Sequence, residues 1–286
     1  MYAILKKKVV KRMLGPEQRK AIHTLQQIIE QEEQIKLKMN WGMLAQKDRS
    51  EAVTEDYFHY NEKGDLLGYL AIYQFGKKIE SICLVEPENR RRGIAKRLLD
   101  QAYSDWHQQA APFLINCPDQ STSGKGFCQA IGATHQFTEH QMVCREIPMP
   151  YTKEGVRIRP AVSKDLETIF CLDKEGFGLT LTVEDLPTTA EVENGTYMIE
   201  VNGQSVGKLR LEQRKQESWI YGFVLQKEER GKGFGRAVLT DVVHREVSNG
   251  KVVWLDVVTE NEQALSLYKK CGFTVEGAQA YYKYEA

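Results

Sequence analysis

Two short turns hold the residues best suited to chemistry in this sequence. They are Arg90-Arg91-Arg92-Gly93-Ile94-Ala95 and, 140 residues later, Arg230-Gly231-Lys232-Gly233-Phe234-Gly235. Each follows an apolar run and opens an amphipathic stretch. A turn from strand to helix leaves backbone N–H groups unpaired at the positive end of the helix dipole, an arrangement that binds phosphate or diphosphate. Glycine lets the backbone approach the anion closely and adopt positive φ. Lys232 and Arg236, with Arg90, Arg91, Arg92 and Lys96 in the other copy, add charged donors. Two commoner phosphate motifs fail. Gly231-x-Gly233-x-Gly235 lacks GxGxxG spacing, and Lys125 follows Gly124 with Asp119 five positions ahead of that glycine, so there is no P-loop.

The same offset recurs beyond the turns. Gly132-Ala133 falls 140 residues before Gly272-Phe273, and Leu99 falls 140 before Leu239. Repetition at a fixed offset predicts a duplicated domain, and 286 residues suit two domains of roughly 150 each. Periodicity then supplies the elements. Gly15-Pro16-Glu17 starts a helix with Ile22, Leu25, Ile28 and Ile29 on one face. Strand runs follow at 57–60, 66–75 and 79–85, then the first turn and a helical stripe through Ile94, Leu98, Leu99 and Tyr103. A strand at 113–117, a helix at 121–131 and a strand at 141–147 close the first half. Pro148 and Pro150 with Gly155 mark a linker over 148–155. The order then repeats: strand 156–159, a helix from Ser163, strands 197–201, 205–212 and 218–225, the second turn, helix 237–247, strand 251–258, helix 262–271 and strand 280–285. The expected domains are 1–147 and 156–286, each α/β.

Arg-x-x-Gly-x-Gly/Ala between strand and helix resembles the acyl-CoA signature of the GNAT N-acetyltransferase superfamily. Asn261-x-x-Ala264-x-x-Leu267-Tyr268-x-x-x-Gly272-Phe273 resembles its second signature, and Ile158-Arg159-Pro160-Ala161 with Asp165-Leu166 its opening strand and helix. The likeness covers about 156–284 and is weaker in the first half; the tandem arrangement is similar to mycothiol synthase-type enzymes. It implies two GNAT-like domains, each a mixed, mostly antiparallel sheet flanked by helices. It also implies acetyl-CoA as co-substrate and acetyl transfer to a small-molecule or peptide amine by direct attack on the thioester. Backbone groups of Phe223, Val224 and Leu225 would bind the thioester and pantetheine, the turn from Arg230 through Gly231, Lys232, Gly233, Phe234 and Gly235 to Arg236 would bind the diphosphate, and Asn261 would touch the cofactor. Tyr268 would protonate the leaving thiolate, since a phenol's pKa of ~10 is not far above a thiol's ~8.5.

Other readings stand beside these. Asn261 also suits a helix N-cap and Tyr268 a core aromatic. Glu217, on one strand face with Trp219 and Tyr221, is the candidate base or simply a solvated strand-end carboxylate. In the first half Cys128 and Ser121 stand where Tyr268 and Asn261 stand in the second. That half is therefore expected to be non-catalytic, although Arg90, Gly93 and Ala95 retain a CoA-binding pattern. A CoA-binding module without turnover, O-acetylation and transfer of another acyl group remain alternatives. Acceptor contacts are expected in the loop 175–193.

Composition narrows the class. A net charge of zero with no sustained basic face argues against nucleic-acid or membrane-surface binding. Six cysteines without CxxC pairs or Cys/His ligand spacing read as reduced thiols rather than a metal site, and His244 as a surface residue. With no signal-peptide pattern at 1–10 and no membrane-length apolar run, a cytoplasmic monomer or homodimer is expected.

Overall fold

The structure, a computed structural model of the chain, describes residues 14–44, 54–75, 78–107, 112–177 and 188–285. The first half carries α1 (Pro16–Glu33), α2 (Trp41–Leu44), β1 (Thr54–Tyr60), β2 (Leu66–Phe75), β3 (Lys78–Val85), α3 (Ile94–Trp106), β4 (Phe113–Pro118), α4 (Thr122–Ala130) and β5 (Thr134–Cys144). The second carries β6 (Val156–Pro160), α5 (Leu166–Phe177), α6 (Thr189–Glu193), β7 (Thr196–Val201), β8 (Gln204–Gln213), β9 (Glu217–Leu225), α7 (Phe234–Ser248), β10 (Val252–Val258), α8 (Glu262–Lys270) and β11 (Thr274–Lys283). The 140-residue offset holds to the residue at the starts of α3 and α7, α4 and α8, and β5 and β11.

Two compact units form, and they are not the two contiguous segments that the linker suggests. One comprises residues 1–138 with 277–286, the other residues 139–276. The physical reason lies in strand pairing. In the first unit the chain's last strand, β11, runs antiparallel to β4, with Ala280 opposite Cys117 and Tyr282 opposite Ile115. In the second unit the later part of β5 runs antiparallel to β10, with Met142 opposite Leu255. Each unit is thus completed by a strand from the other half of the sequence. Both strands also start earlier than expected, at Thr134 and Thr274 directly after the Gly132 and Gly272 turns, because their first residues are exposed and mostly polar and read as loop.

The sheet of the first unit is antiparallel over β1, β2 and β3, with β3 parallel to β4. One face buries Tyr69, Tyr73, Ile82 and Leu84 under α1, which contributes Ile22, Leu25 and Ile29. Ile28, expected on that stripe, is exposed; its rotation of 100° per residue carries it past the face. The other face packs Leu70, Ile72, Ile79 and Ile115 against α3 and Cys128 of α4. The second unit repeats this plan. Antiparallel β6, β7, β8 and β9 are followed by a parallel β9–β10 pair. Its main core joins Ile220, Val253 and Leu255 to α7 and α8. A smaller core on the other face holds Ile169, Leu172, Met198 and Val224. The mixed, mostly antiparallel architecture matches the sequence reading. No helix among the described residues is long and apolar enough to cross a membrane.

Candidate active site

The two parallel pairs share a fork. In the second unit β9 and β10 pair from Glu217–Val252 to Ile220–Leu255 and no further, although β9 continues to Leu225 and β10 to Val258. In the first unit β3 and β4 pair only as far as Ser81–Ile115. Beyond the last rung each inner strand has one side turned to an open wedge. An extended ligand can supply the hydrogen bonds that the missing neighbour does not.

Beyond that rung the units diverge. Four steps lead from Ser81 to Val85, but five lead from Ile220 to Leu225. The extra residue is a bulge: the β8–β9 register slips between Lys208 and Arg210, and Gly222 adopts φ 54°. A bulge leaves one residue outside the ladder, so β9 offers backbone groups to the wedge that neither neighbour takes. β3 pairs with β2 without a slip from Phe75–Lys78 to Gly68–Val85. An isolated glycine in an apolar strand was the available sequence signal for the bulge. The side chains of Phe223, Val224 and Leu225 pack into the cores, which leaves only their backbones for a ligand.

The turns have matching backbones. Gly231 and Gly233 take φ 75° and 87°, while Arg91 and Gly93 take 62° and 76°. Both arginines at the turn entry bind the last carbonyl of their strand, Arg230 Nε donating to Leu225 at 2.9 Å and Arg90 Nε to Val85 at 3.4 Å. The rest of the guanidinium differs. Neither Nη of Arg230 has a partner among the described residues. Arg90 Nη2 instead lies 2.8 Å from Glu33 Oε1, with Nη1 3.6 Å from Glu32. Glu33, at the end of α1, also accepts from Ser121 Oγ at 2.6 Å and Ser123 Oγ at 2.5 Å. Burial raises its pKa, but the serine bonds and the Arg90 guanidinium outweigh that and hold it below the ordinary carboxylate value. A carboxylate of the chain thus already bridges the first turn and the start of α4. Arg97 Nη1 donates to the Arg92 carbonyl at 3.1 Å and lies within 3.0 Å of any Cβ placed on Gly93.

The glycines of the second turn do different jobs. A Cβ on Gly231 would meet nothing within 4 Å. One on Gly235 would press Phe223, Leu225 and Leu267 at 3.2–3.5 Å, so this glycine serves the seat of α7 on the strand. One on Gly233 would strike the Tyr151 hydroxyl at 2.6 Å. The Tyr151 ring carries the Arg236 guanidinium at 4.2 Å, so part of the expected linker lies over the turn, which its breaker residues did not announce. Lys232 pairs with Glu229 at 3.1 Å. Phe234 packs on the main core.

Asn261 caps α8, its Oδ1 accepting from the Ala264 N–H at 3.1 Å, and Ser121 caps α4 in the same way at 3.0 Å. Tyr268 is buried in the main core, edge-on to Phe273, and its hydroxyl has no hydrogen-bond partner among the described residues. Burial, with a smaller push from Cys271, raises its pKa to about 12, so the phenol stays protonated at neutral pH. Cys128 is also buried, and burial pushes its thiol up to about 11. Glu217 stands at the far end of β9 from the turn. Its carboxylate accepts from Trp219 Nε1 at 3.2 Å and lies 3.9 Å from Arg214 Nη1, so it is not brought to the fork. Within the loop 175–193, residues 178–187 lie outside the described residues; Glu175 accepts from the Lys227 N–H at 3.1 Å.

Comparison with known proteins agrees with this geometry. The family model described as the acetyltransferase (GNAT) family matches residues 22–115 and 164–273. Among solved structures, a GCN5-related N-acetyltransferase from Sphaerobacter thermophilus aligns at 18% identity with a TM-score of 0.77, over 96% of this chain and 94% of that one. A tandem GNAT protein from the clavulanic acid biosynthesis pathway aligns at 15% identity and TM-score 0.67, over 96% of each chain. A glucosamine N-acetyltransferase region of a fungal β-N-acetylglucosaminidase aligns at 13% and 0.67, over 92% of this chain and 36% of that one. No curated protein sequence matches.

Proposed function

The chain belongs to the acetyltransferase (GNAT) family, and from that premise we propose that its second unit transfers an acetyl group from acetyl-CoA to a primary amine while its first unit does not turn over. The observation that carries this reading is the contrast between the forks. The second has the Gly222 bulge and an Arg230 whose Nη groups have no partner among the described residues; the first has an unbroken strand and an Arg90 held by Glu33.

The second turn fits a diphosphate. Gly231 leaves open space at positive φ, and Arg230, with the amides opening α7, supplies donors at the dipole's positive end. Lys232 and Arg236 add charge beside them. The bulged strand presents the backbone of Phe223, Val224 and Leu225 to an extended pantetheine arm, and Asn261 sits at the mouth of α8. Acetyl-CoA supplies an activated acyl group. Tyr268, protonated and without a hydrogen-bond partner among the described residues, holds a proton for the departing thiolate. The neighbours' different named settings, glucosamine and clavulanic acid biosynthesis, leave the acceptor open between a small molecule and a peptide. A CoA-binding module without turnover is the second reading, favoured by the burial of Tyr268 in the core.

Arg230→Ala tests the assignment. Losing two charged donors should weaken acetyl-CoA binding at least tenfold by calorimetry, about 1.4 kcal/mol, while the melting temperature reports that the fold is kept. Unchanged affinity removes the second turn from the site. Acetyl transfer by the wild type to a panel of amines separates enzyme from module.

A further inference from the structure

The fork of the second unit also has a side away from α7 and α8. Ile220, Val253 and Leu255 face those helices, so strand alternation puts Trp219, Tyr221, Trp254 and Asp256 on the opposite face. Trp219 and Trp254 are partners in register, and their rings stack at 5.5 Å; Tyr221 stacks on Trp219 at 6.0 Å. Two steps further along each strand come Tyr221 and Asp256, the first residues past the last rung. Asp256 is therefore the carboxylate at the apex of the wedge. Glu217 lies four residues before Tyr221, about 13 Å back along the strand, with its carboxylate already bound to Trp219 and Arg214. Arg214 and Arg145, the cations over the two tryptophans, are themselves paired to Glu212 and Glu276. The floor is left aromatic, with Arg210, in register opposite Tyr221 on the same face, as the cation beside it. At the matching rung the first unit has Asn116, an amide with no basicity, and Glu80, Ile82 and Leu114 in place of the three aromatics.

We infer that Asp256 is the general base of the second unit, and that the acceptor is a primary amine on a flat aromatic group lying against Trp219, Tyr221 and Trp254. The inference rests on the acetyltransferase reading. The neutral amine nitrogen attacks the thioester carbonyl carbon; the C–N bond forms and the C–S bond breaks. The surplus proton on nitrogen passes to the Asp256 carboxylate, and the thiolate takes the Tyr268 phenol proton. Solvent exchange then returns Asp256 to carboxylate and Tyr268 to phenol.

A crystal structure with acetyl-CoA, joined to kinetics of Asp256→Asn, tests this. The bound acetyl carbon should lie within about 5 Å of an Asp256 oxygen, the reach of one water, and much further from Glu217. Asp256→Asn should keep the wild-type acetyl-CoA affinity and lose about 100-fold in kcat with tryptamine. Tryptamine should be acetylated faster than spermidine, which has no ring. An acetyl group nearer Glu217, or an Asp256→Asn enzyme with wild-type kcat, overturns the base. Equal rates for the two amines, or none for either, overturn the acceptor assignment while the distance still decides the base. Acetyl-CoA that binds only in the first unit, or nowhere, instead sinks the underlying reading.

Discussion

Glu33→Gln removes one charge from the first turn and leaves the shape nearly unchanged. In the wild type that carboxylate meets Arg90 at 2.8 Å and two serine hydroxyls at 2.5–2.6 Å, with its side chain only 12% exposed. Hydrogen bonds to a charged group contribute about 1.5–3 kcal/mol each. The amide keeps one acceptor oxygen, and Arg90 remains wet enough to rehydrate, so a net loss of about 2 kcal/mol is expected. For a unit of this size that lowers its melting temperature by roughly 4–8 °C. The pH dependence follows from the lowered pKa of Glu33. A carboxylate with a depressed folded pKa stabilises above its unfolded value and loses that contribution as pH falls through the folded value. The gap between wild type and Glu33→Gln should therefore be full at neutral pH and shrink as the pH falls below about 4.3, the ordinary glutamate value. Calorimetric titration completes the assay. Wild-type protein should bind one acetyl-CoA per chain, and the variant, with Arg90 released, should gain a second, weaker site. A wild-type stoichiometry of two, or a stability gap unchanged down to pH 3, would refute the idea that Glu33 occupies the first site.

Tyr268→Phe should lower kcat and leave acetyl-CoA affinity nearly intact, because the hydroxyl acts only as the thiolate leaves; a wild-type kcat on a confirmed acceptor removes the acid role. Gly235→Val should destabilise the second unit by about 1–3 kcal/mol, since the added carbons press Phe223, Leu225 and Leu267. Denaturant melts check this, and a fully stable variant with weakened acetyl-CoA binding would return Gly235 to the diphosphate path.

Much of the architecture was legible because duplication and patterning are local. The 140-residue offset located both turns and both following helices, and apolar runs placed β2 to the residue. The units' composition was not legible. β5 and β11 begin with exposed, mostly polar residues, and nothing in either strand says which inner strand it will join, since pairing partners are chosen by the whole sheet. Glu33 escaped for a similar reason. One glutamate among several closing an amphipathic helix carries no mark of the arginine 57 positions later in the chain. Alternation makes Glu217 a candidate base, but it fixes only the face of a strand and not how far along it the ladder ends.

That distinction explains how two nearly identical turns diverge. Backbone geometry at the turn is reproduced even where Arg91 replaces glycine, at φ 62°, so the cradle itself does not decide function. Its surroundings do. One inserted residue, Gly222, adds backbone groups to the open edge of its strand that neither neighbour takes, and one carboxylate, Glu33, satisfies the Arg90 guanidinium that would otherwise attract an anion. Each change is small, but they act on opposite halves of the same ligand path. Restoring only one in the first unit should restore only one function. Without Glu33 the turn regains an anion site, yet the unbulged β3 still lacks the donors to align a thioester, and Asn116 stands where a base would be needed. The second acetyl-CoA of the Glu33→Gln protein is therefore expected to bind without reacting. Mass spectrometry of a Glu33→Gln, Asp256→Asn double variant beside Asp256→Asn alone checks this: acetyl transfer faster in the double variant than in the single one would place chemistry in the first unit and break the argument.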